Sequence, residues 1–289
     1  MSLVHLRSCR NSSGTIKPLF IPSIPMLPSN MPDTAHRTLT VHCAPVIPLV
    51  PSGAGAIAVP TGDVVHVWYA TLDSLRPRYA ELNDLLDPVE VERAQRFRFE
   101  VDRERFILGH GLLRSLLGNY LKRDGSLVRM ARGTFGKPYL ERKDLRFSFS
   151  DTKDAIIVAF ANKHEIGADI ETMLRAVDHE AVSEHYFTVP EIRAINEAGA
   201  GAGATRRFLE FWTRKEAVLK ASGVGIMDDL RSLRVDGERN TVVIAHQAFM
   251  SMAAEEYHVH TWHVGPDHLI SLASPVKVRE VLLCAAGSV

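Results

Sequence analysis

The segment "RRFLEFWTRKEAVLKASG" (residues 206–223) decides the fold, because its apolar residues recur at the spacing of one long helix and a glycine follows the last turn. Within about two turns the same segment carries Trp212, Lys215, Glu216 and Lys220. One interpretation is a solvated helix face on which Glu216 and Lys220 form an ion pair four residues apart. The alternative is that this helix presents charged groups to a functional site.

The composition is that of a globular protein with a sizeable core. Of the 289 residues, 46% are hydrophobic, and the 34 basic and 34 acidic residues cancel. This balance gives no argument for nucleic acid or an acidic membrane surface, and no apolar run approaches the roughly 20 residues that span a bilayer. The cysteines Cys9, Cys43 and Cys284 are scattered, which favours a reducing, cytoplasmic location without disulfides.

Residues 1–61 differ from the rest of the chain. Nine of the fifteen prolines lie there, and Asp33 is the only acidic residue before Asp63. This composition, without apolar periodicity, indicates a disordered or leader extension rather than a domain. We therefore expect a chain that starts near Thr61 to keep its melting temperature and its activity.

The remaining sequence predicts an α+β protein of two halves, residues 62–164 and 165–280. Predicted strands cover residues 64–72, 146–150, 155–161, 165–171, 256–264 and 269–276, and predicted helices begin near residues 87, 102, 188 and 206. The same interval separates Pro88 from Pro190 and Phe106 from Phe208. This faint repeat favours two similar halves.

The segment "GADIE" (residues 167–171) carries two carboxylates on one strand face. Alternate side chains of a strand point the same way, so Asp169 and Glu171 lie about 6.6 Å apart along the chain. They repel each other unless solvent or a cation relieves the repulsion. A solvated face is one interpretation. The other is a Mg²⁺ site, which paired carboxylates suit and which Glu216 would complete.

Two basic regions precede these carboxylates. The first contains Arg93, Arg96, Arg98, Arg103 and Arg105. The second, "RGTFGKP" (residues 132–138), adds Arg132 and Lys137 around two glycines that permit close backbone approach. Either region is a solvated face or a phosphate-binding surface, and Lys220 could reach a phosphate oxygen as a point charge.

The segment "EYHVHTWH" raises the question of a zinc site, because it contains His258, His260 and His263. His258 and His260 share one strand face, but no fourth ligand lies nearby in the sequence. We interpret these histidines as core or surface residues.

Three motifs, "GKP" (residues 136–138), "IGADIE" (166–171) and "FWTRKEAVLK" (211–220), together resemble the Sfp-type 4′-phosphopantetheinyl transferases. The resemblance covers about residues 64–275. It implies a pseudo-twofold α+β fold and an enzyme that transfers 4′-phosphopantetheine from coenzyme A to a serine of an apo acyl, peptidyl or aryl carrier protein, releasing 3′,5′-ADP. We expect this enzyme to be monomeric.

Motif by motif, the resemblance also implies residue roles. Asp169, Glu171 and Glu216 would hold Mg²⁺. Glu216, directly or through a metal-bound water, would be the base for the serine proton, and Lys220 would contact the phosphates and stabilise the leaving side. The residues expected to bind coenzyme A are Arg93, Arg105, Lys137, Ser150 and Lys215.

One departure from the family concerns "FSFSD". Ser148 stands for the usual asparagine, and Asp151 stands where the family commonly has a histidine that meets a coenzyme A phosphate. An acid beside a phosphate is unfavourable unless it pairs with a cation. Asp151 therefore either weakens cofactor binding or organises a basic side chain.

Two other functions remain open from the sequence. One is a different Mg²⁺-dependent phosphodiester enzyme that uses the same three acids. The other is a non-catalytic module that binds coenzyme A or a carrier protein.

Overall fold

Two mixed β-sheets and two long helices form the main body of the fold. The computed structural model describes residues 36–52, 58–142, 144–174, 179–225 and 230–286. The strands are β1 (Arg37–Cys43), β2 (Ile47–Pro48), β3 (Val64–Thr71), β4 (Ala131–Arg132), β5 (Pro138–Tyr139), β6 (Arg146–Asp151), β7 (Ala155–Ala161), β8 (Gly167–Thr172), β9 (Arg239–Ile244), β10 (Glu256–Val264), β11 (His268–Ser274) and β12 (Glu280–Ala285). The helices are α1 (Leu72–Leu75), α2 (Tyr79–Asp84), α3 (Pro88–Gln95), α4 (Glu100–Leu121), α5 (His179–Tyr186), α6 (Val189–Glu197), α7 (Ala202–Ser222) and α8 (Gln247–Met252). The predicted α+β class is confirmed. Within the described ranges, no helix is both long and apolar enough to cross a bilayer.

The first half is built on the sheet β12-β3-β7-β6. The predicted hairpin of β6 and β7 is present, with Phe149 opposite Val158. Helix α4 covers one face of this sheet, where Leu112 and Leu116 are buried in one cluster with Trp68. The helix is buried on most sides between Arg105 and Tyr120, and its leucines pack against the sheet.

The second half is built on the sheet β8-β11-β10-β1-β9, with β2 beside β10. Helix α7 covers one face, where Val218 and Leu219 share a core with Tyr257 and Val259. The opposite face packs against the sheet of the first half through a layer that includes Ile157 and Ile170. The two long helices thus enclose two packed sheets.

Strand β1 corrects the expectation that residues 1–61 join no core. It lies inside the second sheet, parallel to β10 and antiparallel to β9, so that Val41 is opposite both Tyr257 and Asn240. Leu39, Val41 and Cys43 are buried in the core under α7. A chain that starts near Thr61 would lose these pairings. Strand β2, also within the predicted extension, pairs with β10, whereas residues 1–35 and 53–57 of that extension lie outside the described residues.

A buried ion pair joins the short helix α3 to the long helix α4. Asp87 caps α3, and Glu90 completes a capping box with it. The guanidinium of Arg114, from α4, is fully buried and contacts both carboxylates. His110 Nδ1 lies 3.0 Å from Glu90 Oε1.

The second half repeats this arrangement between α6 and α7. Thr188 caps α6, Glu191 completes the capping box, and Lys215 Nζ lies 2.8 Å from Glu191 Oε2. The predicted internal repeat is therefore present, but the residues that correspond are the helix caps Asp87 and Thr188 rather than the two prolines. Pro88 is the first residue of α3 and Pro190 the second of α6, so the two prolines are one residue out of step.

Candidate active site

Close packing of α7 against β8 brings the charged residues of the two elements together. A Cβ atom on Gly167 would lie 2.0 Å from the carbonyl oxygen of Ala217 and 2.3 Å from the nitrogen of Ala221, so only glycine permits this approach. Ala217 and Ala221 directly follow Glu216 and Lys220 in the helix. The contact therefore places both charged side chains beside the carboxylates of β8.

A cleft lies at this junction and draws residues from both halves. Its polar walls contain the predicted site residues Lys137, Asp169, Glu171, Glu216 and Lys220, together with Ser148 and Asp151. Its apolar walls contain Phe135, Phe147, Phe149 and Trp212. The sequence motifs are thus brought to one place, although the phenylalanines were not predicted. Their position directly beside the GKP and serine motifs is the signal that could have identified them.

Lys220 is held by the first carboxylate of the D-x-E motif. Its Nζ donates to Asp169 Oδ1 at 2.7 Å and to Ser150 Oγ at 2.8 Å, and Ser150 Oγ donates to Asp169 Oδ1 at 2.8 Å. Burial alone lowers the pKa of the Lys220 ammonium, but the Asp169 and Glu216 carboxylates outweigh it and raise the pKa above its ordinary value. Lys220 therefore remains a cation inside the cleft rather than on a solvated helix face.

Glu216 carries an unpartnered polar atom. Its Oε1 is buried and has no hydrogen-bond partner among the residues the structure describes. Burial, and then the negative charge of Asp169, raises the pKa of Glu216 to about 8; Lys220 opposes the shift and Glu171 adds to it. Without further positive charge, this carboxyl is mostly protonated at neutral pH.

The three carboxylates fit a hard divalent cation by donor type. Oxygen ligands suit Mg²⁺, and a buried carboxylate oxygen without a partner is a group that a cation would satisfy. The described part of the chain contains no preassembled cluster of three or more metal-ligating side chains. Instead, the ammonium of Lys220 contacts an oxygen of Asp169.

Lys137 also lines the cleft, from the loop that ends with the GKP motif. Its Nζ donates to Glu165 Oε2 and to the Ile166 carbonyl, each at 3.0 Å. Burial lowers the pKa of Lys137, and the Glu165 carboxylate opposes this shift. Lys137 therefore ties the loop to the beginning of β8 while lining the cleft.

Asp151 pairs with a predicted cofactor-binding arginine. Arg105 Nε lies 2.9 Å from Asp151 Oδ2, and Arg105 Nη2 lies 3.1 Å from Asp102 Oδ1. Two carboxylates therefore hold one largely buried guanidinium. Of the two alternatives for Asp151, the structure shows the acid that organises a basic side chain.

Arg93 lies close to this pair but packs on an aromatic ring. Its guanidinium carbon is 5.0 Å from the ring centroid of Phe106. Burial lowers the pKa of Arg93, and the charge of Arg132 lowers it further. This contact is a cation–π interaction. The role of Arg93 in cofactor binding stays a prediction.

Lys215 has a structural position, contrary to the expectation that it binds coenzyme A. Its fully buried Nζ donates to the Tyr186 carbonyl at 2.8 Å, to Glu191 Oε2 at 2.8 Å and to the Leu230 carbonyl at 3.0 Å. These acceptors use all three ammonium hydrogens. Successive helix residues point about 100° apart, so Lys215 turns into the core while Glu216 faces the cleft.

The three histidines of β10 lie away from the cleft. His258 Nε2 is 2.6 Å from Glu256 Oε1 and its ring stacks on His42. His260 stacks on Trp262. His263 Nε2 is 3.2 Å from Arg206 Nη1, on the face that α7 covers.

Comparisons with known proteins agree with the two-half organisation. A family model described as "4′-phosphopantetheinyl transferase superfamily" matches residues 165–273, and one described as "4′-phosphopantetheinyl transferase, N-terminal" matches residues 72–163. Each match falls within one predicted half.

Individual relatives cover more than half of the chain. The 4′-phosphopantetheinyl transferase HetI of Nostoc sp. is 33% identical over 168 residues, which cover 57% of this chain and 70% of the relative. A phosphopantetheinyl transferase of Thraustochytrium sp. is 31% identical over 160 residues, covering 51% of this chain and 56% of the relative. The 4′-phosphopantetheinyl transferase Sfp of Bacillus subtilis is 28% identical over 165 residues, covering 55% and 72%.

Proposed function

The chain belongs to the 4′-phosphopantetheinyl transferase superfamily and transfers phosphopantetheine to carrier proteins, and we propose that the cleft between β8 and α7 performs this transfer with coenzyme A and Mg²⁺. The observation that carries the proposal is the buried, unpartnered oxygen of Glu216 beside the Asp169 and Glu171 carboxylates. These three side chains would hold the metal. When bound, Mg²⁺ supplies positive charge that neutralises the pyrophosphate of the cofactor.

In the proposed reaction, the hydroxyl oxygen of a carrier serine attacks the β-phosphorus of coenzyme A. A new serine–phosphate bond forms, the bond between the β-phosphorus and the bridging oxygen breaks, and the electron pair leaves with 3′,5′-ADP. Glu216 takes the serine proton. It must be ionised to do so, and positive charge in the cleft lowers its raised pKa toward that state.

The basic side chains of the cleft position the cofactor. Lys220 would exchange its hydrogen bond to Asp169 for one to a phosphate oxygen and so stabilise the leaving side. Lys137 would contact the nucleotide part. Arg105 would meet a phosphate, oriented by Asp151. Such positioning and charge neutralisation are the main protein contributions to phosphoryl-type transfer.

The finer partner and setting are also proposals. The sequence motifs support an apo acyl, peptidyl or aryl carrier protein as the acceptor. The scattered cysteines support a cytoplasmic location. A monomeric state completes the proposal.

The test is incubation of the protein with coenzyme A, Mg²⁺ and a panel of apo carrier proteins, read by intact mass spectrometry. We expect one carrier class to gain the mass of one phosphopantetheine group, and chelation of the metal to prevent the gain. Coenzyme A cleavage without transfer would favour another phosphodiester enzyme. Cofactor binding without any mass change or cleavage would favour a binding module, and either result would contradict the proposal.

A further inference from the structure

Two basic side chains that line the cleft, and one that contacts a lining carboxylate, are each paired with a carboxylate before any cofactor arrives. The pairs are Lys220–Asp169, Lys137–Glu165 and Arg105–Asp151, at 2.7, 3.0 and 2.9 Å. Paired charges partly cancel each other's field. A multiply charged anion that enters this cleft must therefore compete with the carboxylates for each of these three cations.

The pair of Lys220 differs from the other two, because its carboxylate belongs to the candidate metal site. Lys220 Nζ contacts Asp169 Oδ1, and Ser150 Oγ contacts the same oxygen at 2.8 Å. Glu171 and Glu216 lie on the same cleft walls. The ammonium thus holds, in the metal-free protein, a carboxylate oxygen that a divalent cation would take.

We propose that Lys220 is a placeholder cation that makes the binding of the divalent metal and of coenzyme A depend on each other. The inference rests on the proposed function, since it assigns both ligands to this cleft. A metal that binds Asp169 through Oδ1 displaces the ammonium, and one that binds through Oδ2 places a second positive charge beside it; the Lys220 side chain is only 21% exposed. A displaced and largely buried ammonium needs a new anionic partner.

Phosphate groups of the cofactor would be that partner. When the metal binds alone, Lys220 is left without an anionic partner. When the cofactor binds alone, its phosphates face the Asp169, Glu171 and Glu216 side chains without a neutralising metal. When both ligands are present, the metal takes the carboxylates and Lys220 takes a phosphate. By linkage, each ligand then lowers the dissociation constant of the other by the same factor.

Two simpler roles for Lys220 predict different results. A lysine that only binds phosphate would affect coenzyme A and leave the affinity for metal alone unchanged. A lysine that only stabilises the fold would, when replaced, lower the melting temperature and weaken both ligands. The placeholder role alone predicts that replacing Lys220 changes the two affinities in opposite directions: the metal binds more tightly and the cofactor more weakly.

The experiment uses the full chain stripped of metal and Mn²⁺ as the probe, with free Mn²⁺ counted by electron paramagnetic resonance. In wild type, saturating coenzyme A should lower the Mn²⁺ dissociation constant by about tenfold or more, within the usual range of coupling. In Lys220→Met, Mn²⁺ alone should bind about tenfold tighter than in wild type, and saturating coenzyme A should tighten it by a smaller factor than in wild type, because only the direct attraction between metal and phosphate remains. In the matched control Lys137→Met, Mn²⁺ alone should bind as in wild type and saturating coenzyme A should still tighten it.

Two results would overturn the inference. One is equal Mn²⁺ affinity in wild type with and without coenzyme A, which needs no variant. The other is unchanged affinity for Mn²⁺ alone in a folded Lys220→Met, or in Lys220→Gln if the first variant does not fold. The carrier mass assay separates this inference from the function: transfer without coupling rejects the placeholder, whereas coupling without transfer to any carrier rejects the proposed reaction.

Discussion

In the first half of the molecule, Arg114 turns from α4 into the core and meets Glu90; in the second half, Lys215 turns from α7 into the core and meets Glu191. Both glutamates belong to the capping box of the preceding short helix. Each half therefore uses one buried ion pair to fix its long helix to its short one. Because both halves have it, this pair indicates the scaffold rather than the chemistry.

The next residue of each long helix is where the halves differ. Ser115 follows Arg114 in α4, whereas Glu216 follows Lys215 in α7. Four residues later, α4 has Asn119 where α7 has Lys220. The charged groups that reach the cleft from α7 thus have uncharged counterparts in α4. The candidate catalytic groups of α7 are therefore those for which α4 has no charged counterpart.

Breaking the shared pair should have the largest effect. Arg114→Met and Lys215→Met each leave a buried glutamate without its cation, so we expect the free energy of unfolding to fall by about 3–5 kcal/mol in both. Urea denaturation followed by circular dichroism measures this. In the second half, the double variant with Glu191→Gln should recover part of the loss, since it removes both buried charges and keeps a side-chain oxygen that can accept a capping hydrogen bond. A loss below about 1 kcal/mol in either single variant would show that its pair is not a scaffold element.

Removing the β8 carboxylates that lie beside the unshared groups Glu216 and Lys220 should affect activity next most strongly. Asp169→Ala and Glu171→Ala should each lower the rate of carrier modification by at least about 100-fold, or about 2.7 kcal/mol, because each removes one candidate metal ligand. Stopped mass-spectrometric assays at saturating Mg²⁺ give the rates, and circular dichroism checks the fold.

The controls come from Ser115 and Asn119, the α4 counterparts of Glu216 and Lys220. Ser115→Ala and Asn119→Ala should leave the rate near that of wild type. Near-normal rates in both carboxylate variants would remove the cleft from the mechanism, and a large loss in the α4 variants would undo the contrast between the halves.

Glu216 predicts a pH dependence that its counterpart Ser115 cannot have. Its folded-state pKa of about 8 lies above the ordinary value of 4.5, so its contribution to stability is present at low pH and is lost as the pH rises through about 8. Glu216→Gln does not ionise. In chelator, we expect the free energy of unfolding of this variant to rise by about 2.5 kcal/mol relative to that of wild type between pH 6 and pH 8.5.

Thermal unfolding across this pH range measures the effect. Added Mg²⁺ should remove most of the difference, because it supplies the missing positive charge. A constant difference at all pH values would mean that Glu216 ionises normally in the folded protein.

Among the cleft carboxylates Asp169, Glu171, Glu216 and Asp151, substitution of Asp151 should have the smallest effect. Asp151→Asn weakens the hold on Arg105, which keeps its contact with Asp102. We expect the KM for coenzyme A to rise by up to about tenfold, the scale of one charge-assisted hydrogen bond, with kcat little changed. Steady-state kinetics measure it, with the surface variant Asp144→Asn as control. A lower KM would show that Asp151 repels the cofactor instead.

Local sequence signals account for much of the fold and for the polar part of the cleft. Alternation and β-branching identified β3, the segments of β6, β7 and β8 were also predicted as strands, and helical periodicity identified α4 and α7. It did not give the rotation of α7, which sets Glu216 in the cleft and Lys215 in the core. That rotation depends on the Gly167 contact and on Glu191, which belong to other elements.

Strand β1 shows why non-local pairing escapes such reasoning. The alternation of Leu39, Val41 and Cys43 contradicts the expectation that residues 1–61 lack apolar periodicity, but prolines surround this strand and its partners β9 and β10 lie near the other end of the chain. The sequence left open whether Asp151 pairs with a basic side chain and did not identify Arg105 as the partner, since this pair joins a strand end to a helix. In each case the decisive contact spans elements that the sequence keeps apart.

The most direct test of the account is the position of the metal. A crystal structure with Mn²⁺ and coenzyme A, read by the anomalous signal of Mn²⁺, would locate it. We predict one Mn²⁺ bound by Asp169, Glu171 and Glu216, with Lys220 Nζ moved from Asp169 to a phosphate oxygen. Mn²⁺ at another place, or Lys220 still on Asp169 beside a bound cofactor, would contradict the account.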